Sequence, residues 1–279
     1  MKTKLNGIKL AVFDVDGTIL NEEHILTQEV ADLLHWMNCR GITIGLATGR
    51  SLMMLEHFLK QLNLEMPLIL LNGAWVHDMR LRKDILQLNL DRNIAKQVVA
   101  ALREWEYEII IQKGVPEAHI FYYDTLDESN IERMGRIQRN LFRCYKVNDL
   151  MEVLNSDPGE ITVLDLRHRI ADCREKLQAL NLKMKITCSV SPYNSDYAWL
   201  EILHPQAEKG NALQFLAQRM GFTRQEVLAV GDNYNDVGMI EWGGVGAAVA
   251  NAVDQAQAAA DIVLQGEQNG LMMLYELFD

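Results

Sequence analysis

Several residue types and patterns are scarce in this chain of 279 residues, and each scarcity excludes a class of protein. The cysteines are few, widely scattered and without a CxxC pair, which argues against a disulfide framework or a zinc site: Cys39, Cys144, Cys173 and Cys188. The seven histidines form neither an HxH nor an HExxH metal motif. No apolar run approaches the roughly 18 residues of a membrane-spanning helix. The first four residues lead straight into a predicted strand rather than into a signal peptide. We therefore expect a cytoplasmic protein with free thiols and no membrane partner.

Positively charged residues are also fewer than negatively charged ones. The chain has 27 lysines and arginines against 38 aspartates and glutamates, which gives a net charge of −11. Such a surface disfavours nucleic acids and anionic membranes as partners. An acidic protein can still bind a phosphate group where local cations reverse the field, so a metal ion becomes a reasonable expectation. The length and the apolar share of 49% are typical of a globular protein that divides into two domains.

The most informative stretch lies near the start. An apolar run over residues 8–13 is followed by Asp14, Asp16 and then Gly17-Thr18. A continuous apolar run of this length predicts a strand that is buried on both faces, as in a parallel sheet. Ligands of such sheets bind at the carboxyl ends of the strands, where these two acids lie.

The order of the predicted elements indicates two kinds of domain. Strands and helices alternate over residues 1–73, and we expect the same parallel pattern to resume at residues 197–203 and to continue to the end. Between these parts, after a hairpin at residues 74–88, adjacent strands are mixed with helices. The predicted fold is therefore α/β, with a Rossmann-like parallel-sheet core. We assign residues 1–90 and 193–279 to this core, and residues 91–192 to an inserted α+β domain.

Polar residues follow the ends of the predicted core strands or begin the helices beside them: Asp14, Asp16, Thr48, Lys209, Asp232 and Asp236. The four carboxylates have reference pKa values near 4 and would be ionised at neutral pH. Two unit charges 4 Å apart repel by about 4 kcal/mol at an effective dielectric constant of 20. Because one lysine cannot offset several such pairs, we expect a divalent cation. Hard oxygen ligands favour Mg²⁺.

This set of residue types is complete for phosphoryl transfer. A carboxylate beside a metal ion can attack phosphorus and form an aspartyl-phosphate. The second acid can protonate the leaving oxygen and then activate water. A threonine hydroxyl and a lysine can hold the phosphoryl oxygens.

Four stretches carry a resemblance to a known family: Asp14-Val15-Asp16-Gly17-Thr18, Ala47-Thr48-Gly49-Arg50, Lys209-Gly210 and Gly231-Asp232-Asn233-Tyr234-Asn235-Asp236. They resemble the four motifs of the haloacid dehalogenase (HAD) superfamily. Their order, and an insert of about 100 residues between the second and third, is similar to the Cof-type sugar-phosphatase branch, whose insert is a cap domain.

The resemblance implies roles for the acids. Asp14 would be the nucleophile and Asp16 the general acid and base. Mg²⁺ would be held by the Asp14 carboxylate, the backbone carbonyl of Asp16 and Asp232.

It also implies roles for the residues that bind phosphate. Thr48 and Lys209 would bind the transferring phosphoryl group, and Asn235 would contact the phosphate. Asp236 would position Lys209 or a metal-bound water.

The expected function is thus hydrolysis of small phosphorylated metabolites, such as sugar phosphates, by a Mg²⁺-dependent phosphatase. A phosphomutase or phosphotransferase would share the first half of the reaction, and a non-catalytic sensor of phosphorylated metabolites would share the fold. A signalling receiver domain uses similar residues but is about half this length. The substrate's identity and the oligomeric state stay open at this stage.

Overall fold

The computed structural model describes residues 5–21, 23–127, 129–191, 194–266 and 268–278. The chain forms two compact units, the first made of Met1–Leu86 with Ala207–Asp279 and the second of Gln87–Gln206. The strands are β1 (Leu10–Asp14), β2 (Thr43–Ala47), β3 (Pro67–Leu70), β4 (Trp75–Asp78), β5 (Lys83–Gln87), β6 (Ile110–Gln112), β7 (Phe121–Tyr123), β8 (Cys144–Lys146), β9 (Glu160–Leu166), β10 (Lys185–Val190), β11 (Tyr197–Leu203), β12 (Val227–Gly231), β13 (Val245–Ala248) and β14 (Ile262–Val263).

The helices are α1 (Gln28–Cys39), α2 (Leu52–Leu62), α3 (Arg92–Glu104), α4 (Ile131–Arg139), α5 (Leu150–Val153), α6 (Arg167–Ala179), α7 (Lys209–Arg219), α8 (Val237–Trp242), α9 (Asp254–Ala259) and α10 (Met273–Phe278). Short 3₁₀ helices lie at Leu71–Gly73, Arg224–Glu226, Tyr234–Asp236 and Gln268–Gly270. No helix in the described ranges is long and apolar enough to cross a membrane.

The first unit is built on an eight-stranded sheet in the order β14-β13-β12-β1-β2-β3-β4-β5. The pairs from β14 to β3 are parallel, and β4 returns antiparallel to β3. All five residues of β1 are buried, because the strand lies at the centre of the sheet with apolar groups on both faces. The α/β fold with a parallel core is therefore as predicted.

Local sequence explains how the connecting helices begin and end. The hydroxyl of Thr27 accepts a hydrogen bond from the backbone N–H of Val30, so α1 begins with one of its free donors satisfied. Beyond the end of α1, Gly41 has a φ of +82°, which glycine adopts without strain. After Gly41 the chain returns to the sheet as β2. This strand pairs with β1 and places Ala47 opposite Asp14.

The second unit holds a six-stranded sheet in the order β10-β11-β9-β6-β7-β8. Its neighbouring strands pair antiparallel in the described part of the chain, except for β7 and β8, which are parallel. One face of the sheet forms an apolar core with side chains from α3, α5 and α6. On the other face a smaller apolar cluster joins Ile110, Phe121 and Ile137, the last of which lies on α4.

The prediction for residues 197–203 is wrong. This strand, β11, does not resume the parallel core sheet but pairs antiparallel with β9 and β10 in the second unit. Its side chains alternate between buried and half-buried, since one face lies on the apolar core and the other does not. The border that we placed at residue 193 is accordingly found at Ala207, and the border at 91 is found at Gln87.

Candidate active site

Three carboxylates meet at the carboxyl edge of the first sheet. Asp14 ends β1, Asp232 follows β12, and Asp236 closes the 3₁₀ turn after it. Because β1 and β12 are parallel neighbours, with Phe13 opposite Val230, their ends lie side by side. Carboxylate oxygens from Asp14, Asp232 and Asp236 lie within 4.8 Å of one another. The sequence placed these acids at strand ends, and the structure brings them together.

Lys209 links two of these acids. It begins α7, its side chain is only 1% exposed, and its Nζ donates to Asp14 Oδ1 at 2.5 Å and to Asp236 Oδ1 at 2.6 Å. The other oxygen of Asp236 accepts from the backbone N–H groups of Asp232 and Asn233, each at 3.0 Å. Asp236 therefore holds both the lysine and the loop that carries Asp232.

Two glycines allow this close approach. Gly17 has a φ of +84°, and a Cβ at this position would lie 2.5 Å from Asp232 Oδ2. A Cβ at Gly231 would lie 2.5 Å from the Cβ of Asp236. Beside Gly17, the Thr18 hydroxyl donates to Asp232 Oδ1 at 3.2 Å. Glycine is required at both positions because side chains of the acid cluster fill the space.

The charges of the cluster do not balance. Burial, followed by the negative charges of Asp236 and Asp232, raises the pKa of Asp14 well above its usual value, although Lys209 opposes this shift. Burial and the charge of Asp236 raise the pKa of Asp232 to about 6. Burial disfavours the charged form of Lys209, but Asp14 and Asp236 outweigh it and raise its pKa. The cluster thus has one buried cation for three carboxylates, and its hard oxygen donors suit a divalent ion such as Mg²⁺.

Asp16 is placed differently. Its carboxylate is not part of the cluster of Asp14, Asp232 and Asp236 but forms a bidentate ion pair with Arg50. The Nε of Arg50 lies 2.9 Å from Oδ2, and its Nη2 contacts Oδ1. The Nδ1 of His24 lies 3.4 Å from the same carboxylate. These contacts are made by the carboxylate of Asp16, whereas the metal ligand that we predicted is its backbone carbonyl. We assigned no role to Arg50 or His24. The strand-end stretch Thr48-Gly49-Arg50 was a signal for Arg50, whereas no pattern pointed to His24.

Thr48 and Asn235 lie on the neighbouring turns. Thr48 directly follows Ala47, the residue opposite Asp14, and its buried hydroxyl accepts from the backbone N–H of Arg50 at 3.1 Å. Asn235 Nδ2 donates to Asn72 Oδ1 at 3.0 Å, and the Asn72 N–H donates to the Thr48 carbonyl at 3.0 Å. Asn72, to which we gave no role, therefore joins the two predicted phosphate-binding turns.

Comparison with known proteins identifies the family of the chain. The profile of the haloacid dehalogenase-like hydrolases matches residues 11–272. The chain is 30% identical to the Bacillus subtilis protein YxeH over 260 residues, which are 91% of each chain. It is 29% identical to the HMP-PP phosphatase of Cronobacter sakazakii over 251 residues, 90% of this chain and 87% of that one.

A solved structure shares the fold. The haloacid dehalogenase-like hydrolase of Bacteroides thetaiotaomicron superposes with a TM-score of 0.81 at 20% identity, covering 97% of this chain and all of the other. The predicted superfamily, fold class and enzyme class, a phosphatase, are confirmed. The chain belongs to the haloacid dehalogenase-like hydrolases.

Proposed function

We propose that this protein is a Mg²⁺-dependent phosphatase that hydrolyses small phosphorylated metabolites through an aspartyl-phosphate on Asp14. One observation carries the proposal: a buried carboxylate ends the central strand and contacts a buried lysine within a cluster of three acids. The phosphatase name of a relative of similar length supports the same reaction class.

In the first step an Asp14 oxygen attacks phosphorus, and the bond from phosphorus to the ester oxygen breaks. The leaving alkoxide takes a proton from the Asp16 carboxyl group, so the alcohol departs neutral. Lys209, with Thr48 and Asn235, would hold the phosphoryl oxygens. Since Lys209 already contacts Asp14 Oδ1 at 2.5 Å, its charge also orients the nucleophile.

In the second step the Asp16 carboxylate takes a proton from a water molecule, whose oxygen attacks phosphorus. The bond between phosphorus and Asp14 breaks, inorganic phosphate leaves, and both acids return to their starting states. Arg50 contacts both oxygens of Asp16, a pairing that fits the ionised carboxylate of this step; as the proton donor of the first step, Asp16 would not keep both contacts. Asp236 acts through its neighbours, since it holds Lys209 and the Asp232 loop.

The donor set fits the proposed metal. Asp14, the Asp16 carbonyl and Asp232 would hold Mg²⁺, and Asp236 lies close enough to take part. When bound, the ion would supply the positive charge that the three carboxylates lack and would stabilise charge on the phosphoryl oxygens. We further propose that residues 87–206 select the substrate. The free cysteines fit a protein of the reducing cytoplasm, which is the location that we propose.

A panel of phosphate esters tests the proposal. The purified chain should release inorganic phosphate from several small esters when Mg²⁺ is present, and ¹⁸O from labelled water should appear in that phosphate. Transfer of the phosphoryl group to a second sugar without uptake of ¹⁸O would instead identify a phosphotransferase. If no ester of the panel releases phosphate, the proposal is contradicted.

A further inference from the structure

A cavity of about 140 Å³ opens in the second unit and includes none of the acid cluster of the first. Its walls come from β6 and the residues after it, from β7, and from α5 with the loop that follows. A cavity of about 150 Å³ holds a ligand the size of benzene. This cavity therefore has room for one small molecule.

The floor of the cavity is apolar. Ile111 is 1% exposed and belongs to the core of the second unit, while Tyr122 and Val153 pack against the edge of that core. Pro158 completes the floor. Helix α5 ends at Val153, and the edge of the core beside it stays open as the bottom of the cavity. An apolar group that covers this floor would gain by leaving water.

Two opposite charges stand above this floor. Lys113 follows β6 and Glu152 belongs to α5, so the charges come from different walls. The Nζ of Lys113 lies 2.7 Å from Glu117 Oε2, which uses one of its three donors in a half-exposed pair. The exposed Glu152 forms no ion pair with any residue of the described ranges. A cationic donor and an anionic acceptor are therefore both available to a ligand.

We propose that this cavity binds a free amino acid with an apolar side chain. The ligand's carboxylate would accept from Lys113, its ammonium group would donate to Glu152, and its side chain would cover the floor. A carboxylic acid without the amine would bring its charge towards Glu152 with no compensation. An amine without the carboxylate would do the same towards Lys113.

One wall of the cavity also holds the segment through which the chain enters the second unit. The N–H of Leu90 donates to the carbonyl of Pro158 at 2.8 Å, and Arg92 Nη1 donates to the carbonyl of Asn155 at 3.2 Å. A ligand that contacts residues 155–158 therefore stabilises the bonds that fix residues 90–92. The site regulates the opening of this segment, and it needs no turnover and so does not rest on the proposed phosphatase function.

Binding is tested with the full chain and L-leucine or L-phenylalanine by isothermal titration calorimetry. Two compounds matched to leucine isolate its charges: isoamylamine lacks the carboxylate, and 4-methylpentanoate lacks the ammonium group. Each should bind about tenfold more weakly than leucine, because one charge-assisted hydrogen bond is lost.

Two variants assign these charges to the walls. Glu152→Gln should weaken leucine binding about tenfold but leave 4-methylpentanoate binding no weaker than in the wild type. Lys113→Gln should weaken leucine binding to a similar extent but leave isoamylamine binding no weaker. This crossed pattern follows only if each residue contacts the ligand group that we assign to it.

Matched variants on α6, whose residues do not line the cavity, are the controls. Lys176 lies 2.8 Å from Asp172 in a pair with the same four-residue spacing as Lys113 and Glu117, and Glu175 is exposed. Lys176→Gln and Glu175→Gln should leave leucine binding unchanged, and circular dichroism should show all four variants folded.

Hydrogen exchange tests the effect on the segment. Leucine at about ten times its dissociation constant should slow exchange of the buried Leu90 N–H about tenfold, since the bound chain must release its ligand before the loop opens. An unchanged rate would overturn the regulatory part of the proposal.

The binding part is overturned if neither amino acid binds the wild type, or if leucine binds no more tightly than isoamylamine and 4-methylpentanoate. Equal leucine binding by Glu152→Gln and the wild type would overturn it as well. A chain that binds leucine but hydrolyses no ester would refute the phosphatase proposal alone.

Discussion

Replacement of Lys209 by methionine tests the charge balance of the site. The lysine is 1% exposed, and its Nζ lies 2.5 Å from Asp14 and 2.6 Å from Asp236. Methionine keeps most of the side-chain volume but leaves two buried carboxylates without a cation. Removing one partner from a buried ion pair costs about 3–5 kcal/mol. This is a large share of the roughly 5–15 kcal/mol by which most domains are stable.

The effect is measured by urea unfolding, followed by circular dichroism in the presence of a chelator. With a slope of about 1–3 kcal/mol per molar urea, the midpoint of the Lys209→Met variant should fall by at least about 1 M. Added Mg²⁺ should recover part of the loss, because the ion supplies the missing charge. Lys60→Met is the control, since Lys60 pairs with Glu56 at 2.8 Å on an exposed helix face. A Lys209→Met variant as stable as the wild type would refute the reasoning.

Three further predictions concern the cluster and the second unit. Gly17→Ala should lower turnover at least about tenfold, because its Cβ would displace Asp232, whereas Gly7→Ala, with a similar φ and no atom within 4 Å, should stay active. Exhaustive chelation should abolish phosphate release, and full activity in the chelator would contradict the proposed metal dependence. Mg²⁺ at about 100 times its dissociation constant should stabilise the wild type by about 2.7 kcal/mol. The same concentration should stabilise the Asp232→Asn variant far less. Because burial raises the pKa of Glu160 from 4.5 to about 7, the folded chain keeps a proton that the unfolded chain releases, so stability should fall as pH rises across that range. Glu160→Gln should make the free energy of unfolding depend less on pH in this range. The same pH dependence in the variant and the wild type would refute its assignment to Glu160.

The sequence predicted most of the acid cluster because one rule governs it. The apolar run before Asp14 predicted a central buried strand, and strands of a parallel sheet end at the same edge. Once Asp232 and Lys209 were placed at the ends of neighbouring elements, their meeting with Asp14 followed from the sheet alone. The structure shows that meeting directly.

Other features depend on contacts that no local pattern specifies. The alternation in β11 was visible in the sequence, but sheet membership is decided by the strands that pair with it. Arg50 and Asp16 are 34 residues apart in the sequence. At this separation the sequence pattern does not predict that the two side chains will meet. Strand β8 has three residues, too few for a hydrophobic period to be recognised.

The nucleophile is the central claim, and trapping the phosphorylated enzyme tests it most directly. Wild-type protein mixed with a phosphate ester and quenched in acid should carry one phosphoryl group on the peptide that contains Asp14. Asp14→Asn should carry none and should lose turnover with every ester while its circular dichroism spectrum is unchanged. A phosphoryl group on a different residue, or turnover by Asp14→Asn comparable to that of the wild type, would contradict the account.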